Sequence, residues 1–262
     1  SPDQNPPEVP LDPPPLRGSR MTPTTTPQHA ACGELIHKNM RKIKIKAVLF
    51  DMDGVITHSM PFHFRAWQVI FKEMGYSVTR QDVYLREGQP GRLTIREICR
   101  EQGRPYSDEE ADRLLAKKEA IFKKIQRPRY VAGARSYLRQ LRKRGIRLAL
   151  VTGTARHEVE HILPKALFAL FDAVITGSEV KKGKPHPEPF LLALKQLGLR
   201  PGDAIVFENA PFGIRSAKAA GLRCVALETS LPKTYLKSAD MVFKSFGELR
   251  RHLALSSDPR ND

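Results

Sequence analysis

Ala47-Val-Leu-Phe-Asp51-Met-Asp53-Gly-Val-Ile-Thr57 is the stretch from which the rest of the chain can be read. Four apolar residues run without alternation into a pair of aspartates. Such a run, short and unbroken, is the pattern of a strand buried on both faces. Similar runs recur as Arg147-Leu-Ala-Leu-Val, Ala173-Val-Ile-Thr, Ala204-Ile-Val-Phe, Arg223-Cys-Val-Ala-Leu and Asp240-Met-Val-Phe. Helical patterns lie between them over 134–144, 187–197 and 213–220, and Gly145, Gly198 and Gly221 fall where C-terminal caps belong. Strands alternating with helices predict an α/β fold with a doubly wound parallel sheet.

Residues 58–127 break that rhythm. They read as helices only, over 62–74, 92–100 and 108–125, and Ser107-Asp-Glu-Glu is a good helix start. The expected organisation is therefore a sheet core over 41–57 and 128–255, interrupted by a helical unit over 58–127. The first 27 residues hold nine of the 21 prolines. Such a segment buries too little apolar surface to offset its ordering entropy, so 1–40 is expected to be a disordered extension, as is the short C-terminus 256–262. Met40-Arg-Lys-Ile-Lys-Ile-Lys looks like a natural protein start, and 1–39 like an extension or an over-called reading frame.

Composition bounds the function. No run approaches the roughly 18–20 apolar residues of a membrane span, and no secretory signal opens the chain. Cys32, Cys99 and Cys224 are odd in number, far apart and form no metal or redox pair, which fits a reducing cytoplasm. The net charge is +16. Residues 1–40 carry three Lys/Arg against four Asp/Glu, so the folded part carries the excess. From Ala120 to His157 eleven Lys/Arg face no acid at all. That stretch reads either as a polyanion-binding surface or as a solvated helix face on a protein that attracts anionic substrates. No helix-turn-helix, zinc finger or aromatic RNA-binding signature accompanies it, which favours the solvated face.

Open α/β sheets place their sites at the carboxyl ends of strands. Four such ends here carry Asp51-Met-Asp53, Thr152-Gly153-Thr154, Lys182-Gly-Lys184-Pro and Glu208-Asn209-Ala-Pro. This set suits phosphoryl transfer. A carboxylate can attack phosphorus, and a second carboxylate two residues on can protonate the leaving group and then activate water. Oxygen ligands from Asp51, the Asp53 backbone and Asn209 suit Mg²⁺. A lysine and a threonine hydroxyl suit the phosphoryl oxygens.

In order and spacing these segments resemble the four motifs of the haloacid dehalogenase superfamily, over about residues 43–250, with Asp51 and Asp53 in the first, Thr152 in the second, Lys184 in the third and Glu208-Asn209 in the fourth. The resemblance implies a Rossmann-like core with an inserted α-helical cap. It implies Asp51 as nucleophile, Asp53 as acid/base, Mg²⁺ held by Asp51, Asp53 and Asn209 with Glu208 through water, and Thr152, Gly153, Thr154 and Lys184 on the phosphate. Dehalogenases of this type lack the second aspartate, so Asp53 points away from that activity. Gly54-Val-Ile-Thr and His63-Phe-Arg-Ala-Trp67 resemble the β-phosphoglucomutase-like branch. His63 and Trp67 share one helical face; Trp67 is expected to pack in the cap and His63 to reach the site. Glu87 stands where mutases carry a basic residue, Asn209 where they usually carry an aspartate, and Arg92 one position past the arginine that would hold a distal phosphate. Glu87 with Glu208-Asn-Ala-Pro resembles an inorganic-pyrophosphatase-like subgroup. The expectation is a monomeric, cytoplasmic, Mg²⁺-dependent phosphatase that acts on a small phosphorylated metabolite or pyrophosphate through an aspartyl phosphate. A sugar-phosphate mutase is the alternative, and a non-catalytic nucleic-acid-binding protein the remote one.

Overall fold

The computed structural model describes residues 40–257. The expectations for 1–39 and 258–262 lie outside the described residues. In chain order the elements are β1 (Arg41–Lys44), β2 (Ala47–Phe50), α1 (Met60–Glu73), α2 (Arg80–Tyr84), α3 (Gly91–Glu101), α4 (Asp108–Ile125), α5 (Ala134–Lys143) and β3 (Arg147–Val151). They continue with α6 (Arg156–Ile162), α7 (Lys165–Phe168), β4 (Ala173–Ile175), α8 (Glu188–Leu197), β5 (Ala204–Glu208), α9 (Pro211–Ala219), β6 (Arg223–Leu227), β7 (Met241–Phe243), α10 (Phe246–His252) and β8 (Leu253–Ser256).

Six of these strands form one parallel sheet in the order β4-β3-β2-β5-β6-β7. The first strand of that sheet, β2, lies at its centre, between β3 and β5. The strand order reverses there, which is where open α/β sheets place their ligands. The pleat sorts side chains to two faces. Ala47 and Leu49 join Ala149, Val206 and Ala226 on the face covered by α8 and α9. Val48 and Phe50 join Leu148, Phe207 and Val225 on the face covered by α5 and α10. A strand that packs on both sides tolerates no polar position, and β2 is wholly buried.

The helices α1 to α4 stand between β2 and β3, where a helical insert was expected. Trp67, Ile70 and Phe71 of α1 meet Ile95 and Ile98 of α3 and Leu114 of α4 in one apolar seam. Ser107 caps α4 by accepting from Glu110 N. The helix expected at 213–220 instead starts at Pro211. A proline suits the first turn because its missing N–H would have had no partner there.

Several elements left no mark in the sequence. The helices α2, α6 and α7 are at most seven residues long, too short for a periodic stripe. The strand β1 is Arg-Lys-Ile-Lys, mostly exposed, and pairs in parallel with β8 in a separate two-stranded ladder. That ladder carries the ordered chain through Ser256, one residue past the expected core boundary. In the acid-free stretch, Arg142 pairs with Asp172 and Arg144 donates to Leu255 O, while Arg135, Arg139 and Lys143 are exposed on α5. Among the described residues no helix is long and apolar enough to cross a membrane.

Phe207 is the keystone of the second face. It is fully buried, and its ring lies 5.0 Å from Phe50 and 5.7 Å from Tyr137. Phe207→Ala is expected to destabilise the fold by about 3–5 kcal/mol through the cavity it leaves. Urea denaturation would measure this, and a midpoint unchanged from the parent would contradict the packing described.

Candidate active site

The chain leaves β2 at Asp51 and turns at once. Ile56 N and Thr57 N both donate to Met52 O, and Gly54 N donates to Thr57 O. Gly54 adopts φ +87°, and an added Cβ would lie 2.1 Å from Asn209 Nδ2. Glycine is therefore required twice over, for the turn and for the approach of Asn209.

Lys184 ties the strand ends together. Its buried ammonium donates to Asp51 Oδ1 at 2.7 Å, Glu208 Oε1 at 2.7 Å and Val151 O at 3.1 Å. Burial alone would lower its pKa, but the two carboxylates outweigh that and raise it. Glu208 Oε2 accepts from Asn209 N at 2.9 Å and Ala210 N at 3.2 Å, at the start of α9. Both oxygens of Glu208 are thus engaged. Its carboxylate lies where any Cβ at Gly213 would intrude, 1.7 Å from Oε1.

Among the described residues, the buried oxygens without a hydrogen-bond partner include Asp51 Oδ2 and Asn209 Oδ1, both at these strand ends. Asn209 is oriented by its other end, since Nδ2 donates to Ser230 Oγ at 2.9 Å. Burial pushes the Asp51 carboxyl well above its usual range; Lys184 pulls it back, while Glu208 and Asp53 push it further up. A buried carboxylate with one bare oxygen, near a bare amide oxygen, is a hard-oxygen donor set that fits a divalent cation such as Mg²⁺.

Asp53 is held quite differently. Its Oδ1 accepts from Ser59 Oγ and Thr57 Oγ1, and its Oδ2 accepts from Thr154 Oγ1 at 2.9 Å. His63 Nε2 stands 3.5 Å from Oδ1. Burial would raise this carboxyl, but His63 and the Ser59 and Thr154 hydroxyls hold it down at about 2. The His63 ring stacks on Phe122 at 4.0 Å, and its Nδ1 lies 3.3 Å from Lys118 Nζ. His63 thus stands between the Lys118 ammonium and the Asp53 carboxylate, its Nε2 facing the carboxylate.

Above these groups, cap and core enclose a cavity of about 310 Å³ lined by Asp51, Asp53, Thr152, His63, Trp67 and Glu87, among others. Ligand atoms of Asp53, His63 and Glu87 lie within 4.8 Å of one another. Burial raises the Glu87 carboxyl, His63 lowers it and Asp53 raises it again.

Residues 45–221 match the family model described as haloacid dehalogenase-like hydrolase. The chain belongs to this family. A validoxylamine A 7'-phosphate phosphatase from Streptomyces hygroscopicus subsp. limoneus is 34% identical over 78% of this chain and 96% of that protein. A phosphorylated carbohydrates phosphatase from Thermotoga maritima is 31% identical over 68% of this chain and 82% of that protein. The crystal structure of a β-phosphoglucomutase from Clostridium difficile is similar at a TM-score of 0.68, with 26% identity over 78% of this chain and 93% of that one.

As a member of this family the chain brings Asp51, Asp53, Thr152, Lys184, Glu208 and Asn209 to one sheet edge, with His63 and Glu87 facing them from the helical insert. Thr154 lies there too, its hydroxyl on Asp53, and Gly153 lines the cavity. Arg92 does not join them. It is half exposed and paired with Asp112, and it does not line the cavity. Glu208, expected to reach the metal through water, is instead bound to Lys184 and the N–H groups before α9. Lys118 and Ser59 were missed. Lys118 precedes Phe122 by one helical turn on α4, a spacing that could have flagged it. Ser59 precedes α1 and reads as its cap, yet makes no capping hydrogen bond and donates to Asp53 instead.

Lys184→Ala leaves Asp51 and Glu208 buried without their shared cation. The expected cost is about 3–5 kcal/mol of folding stability, measurable by denaturant titration. A change within experimental error would show that the two carboxylates do not depend on this ammonium.

Proposed function

We propose that the chain is a Mg²⁺-dependent phosphohydrolase that removes phosphate from a small, sugar-like phosphomonoester through an aspartyl phosphate on Asp51. The observation that carries the reading is the contrast between the two aspartates. Asp51 has one oxygen fixed by Lys184 and the other bare in the cavity, while every contact of Asp53 comes from a proton-bearing neighbour.

A carboxylate oxygen of Asp51 attacks phosphorus and the bond to the leaving oxygen breaks. Asp53 gives that oxygen its proton. A water then surrenders a proton to Asp53 and attacks the phosphorus of the aspartyl phosphate, which releases inorganic phosphate and restores Asp51. Held at about 2, Asp53 is poised as the base of the second step. Entry of a phosphate dianion beside it shifts its pKa upward, toward the acid role of the first. Thr152, Gly153 and Lys184 hold the phosphoryl oxygens. Asp51, Asn209 and the Asp53 carbonyl would hold Mg²⁺, whose charge would stabilise the transferring phosphoryl group. The cap excludes water and selects the leaving group. The names of the Streptomyces and Thermotoga relatives, both phosphatases, support a sugar-like ester. Both described cysteines are free and buried, which agrees with a reducing cytoplasm.

A mutase must grip a second phosphate during its cycle. Arg92, one position past the arginine that would do so in a mutase, is paired with Asp112, which favours hydrolysis. Pyrophosphate is a second reading that rests on Glu87, a cap carboxylate able to hold another divalent ion beside Asp53.

Asp51→Asn should abolish phosphate release while the circular dichroism spectrum and unfolding midpoint stay near the parent's. Retained turnover would remove Asp51 as nucleophile. Asp53→Asn should lower kcat by ~10²–10⁴-fold, the usual worth of a positioned acid/base. EDTA should stop the reaction and added Mg²⁺ restore it; full activity in EDTA would sink the metal assignment. β-Glucose 1-phosphate should yield inorganic phosphate and no glucose 6-phosphate.

A further inference from the structure

The protein is strongly basic, yet its catalytic cavity is acidic. Beyond the two aspartates, the cavity is lined by Glu87 from the loop after α2, Glu119 from α4 and Glu158 from α6. Among the described residues none of these three carboxylates is held by a hydrogen bond or ion pair. The two cationic side chains that line the same cavity are both engaged. Arg86 is bound to Glu97, Glu101 and Asp82 O inside the cap. Lys118 Nζ lies 3.3 Å from His63 Nδ1, 5.4 Å from the Trp67 ring centroid and 5.2 Å from that of Phe122.

The site thus holds one phosphate and discourages another. Lys184 and the bare oxygens at Asp51 and Asn209 serve the transferring group at the sheet edge. The leaving-group side offers acceptors and negative charge, with no free ammonium or guanidinium for a distal phosphate. A second anion there would meet like charges in a partly desolvated space, which is costly, whereas a cation would relieve them. The wall at Trp67 and Phe122 already accommodates one ammonium, that of Lys118.

We infer that the substrate is the phosphomonoester of an amine-bearing polyol, its protonated nitrogen received by the carboxylates of Glu87, Glu119 and Glu158. The inference rests on the phosphohydrolase reading above and names the substrate class of that same site. The amine is bound in the ground state and in the transition state alike, so the preference appears chiefly in KM.

The test is a comparison of matched esters by phosphate release at about pH 6.5, where a sugar amine is largely protonated. Glucosamine 6-phosphate and glucose 6-phosphate differ only at C2, where an amine replaces a hydroxyl. Glucosamine 6-phosphate should show a kcat/KM higher by about tenfold, which corresponds to one modest charge contact. The double variant Glu119→Gln with Glu158→Gln keeps side-chain size and leaves the reacting groups untouched. It should lose that preference, its kcat/KM for glucosamine 6-phosphate falling to the value that the same variant shows for glucose 6-phosphate. Free glucosamine should inhibit the parent more strongly than free glucose, and the variant should not distinguish them. Equal kcat/KM for the two esters in the parent would overturn the inference, as would a preference that survives in the variant. Faster turnover of glucose 1,6-bisphosphate or pyrophosphate would overturn it as well. If none of these compounds releases phosphate, the phosphohydrolase reading itself falls and this inference falls with it.

Discussion

One buried ammonium holds the sheet edge in its working form. Lys184 Nζ lies between Asp51 and Glu208, 2.7 Å from each, and reaches Val151 O as well. Without it two carboxylates at neighbouring strand ends would repel in a space that solvates neither. The strand order makes this contact possible. Asp51 follows β2 and Glu208 ends β5, which pair directly, and Val151 ends β3 on the other side of β2. The lysine arrives from the loop after β4 and joins three strand ends through one side chain. Its hold on Asp51 Oδ1 leaves Oδ2 without a hydrogen-bond partner. Its hold on Glu208 leaves the other oxygen of that carboxylate to fix the backbone of Asn209.

The second aspartate answers to the cap. Ser59 and His63 belong to the entry into α1, and Lys118 to α4, yet all three bear on Asp53 directly or through one intermediary. Thr154 reaches it from the core. The two aspartates stand two residues apart and share one turn, but their environments diverge because one faces a core lysine and the other faces the cap. That divergence is what a nucleophile and an acid/base require of a pair of like groups. It is produced by the fold, since the side chains themselves are identical.

Much of this was legible because both the fold and the core of the site follow from short-range pattern. Buried parallel strands read as unbroken apolar runs, and the residue that ends such a run must lie at the sheet edge. Asp51, Thr152 and Glu208 follow directly from that geometry, and Lys184 follows from its loop. The cap was less legible. Its helices were recognisable, but the face that each turns toward the core depends on packing between non-adjacent helices. Arg92 was expected at the substrate and instead found Asp112, a partner 20 positions away that sequence spacing could not match to it. Ser59 went unread because its role is set by a tertiary hydrogen bond to Asp53, which no local pattern displays. The ladder of β1 and β8 escaped because exposed, lysine-rich strands carry no apolar run, and the pairing joins the two ends of the described chain.

The diversion of Ser59 bears on how the cap begins. A serine in that position ordinarily contributes about 1 kcal/mol to its helix by satisfying a free N–H. Here the hydroxyl serves Asp53, and α1 starts without side-chain capping, with a proline in its first turn. The first turn of α1 therefore forgoes that contribution immediately beside Asp53. The start of the helical insert and a buried carboxylate of the core thus compete for one hydroxyl, and the carboxylate has it.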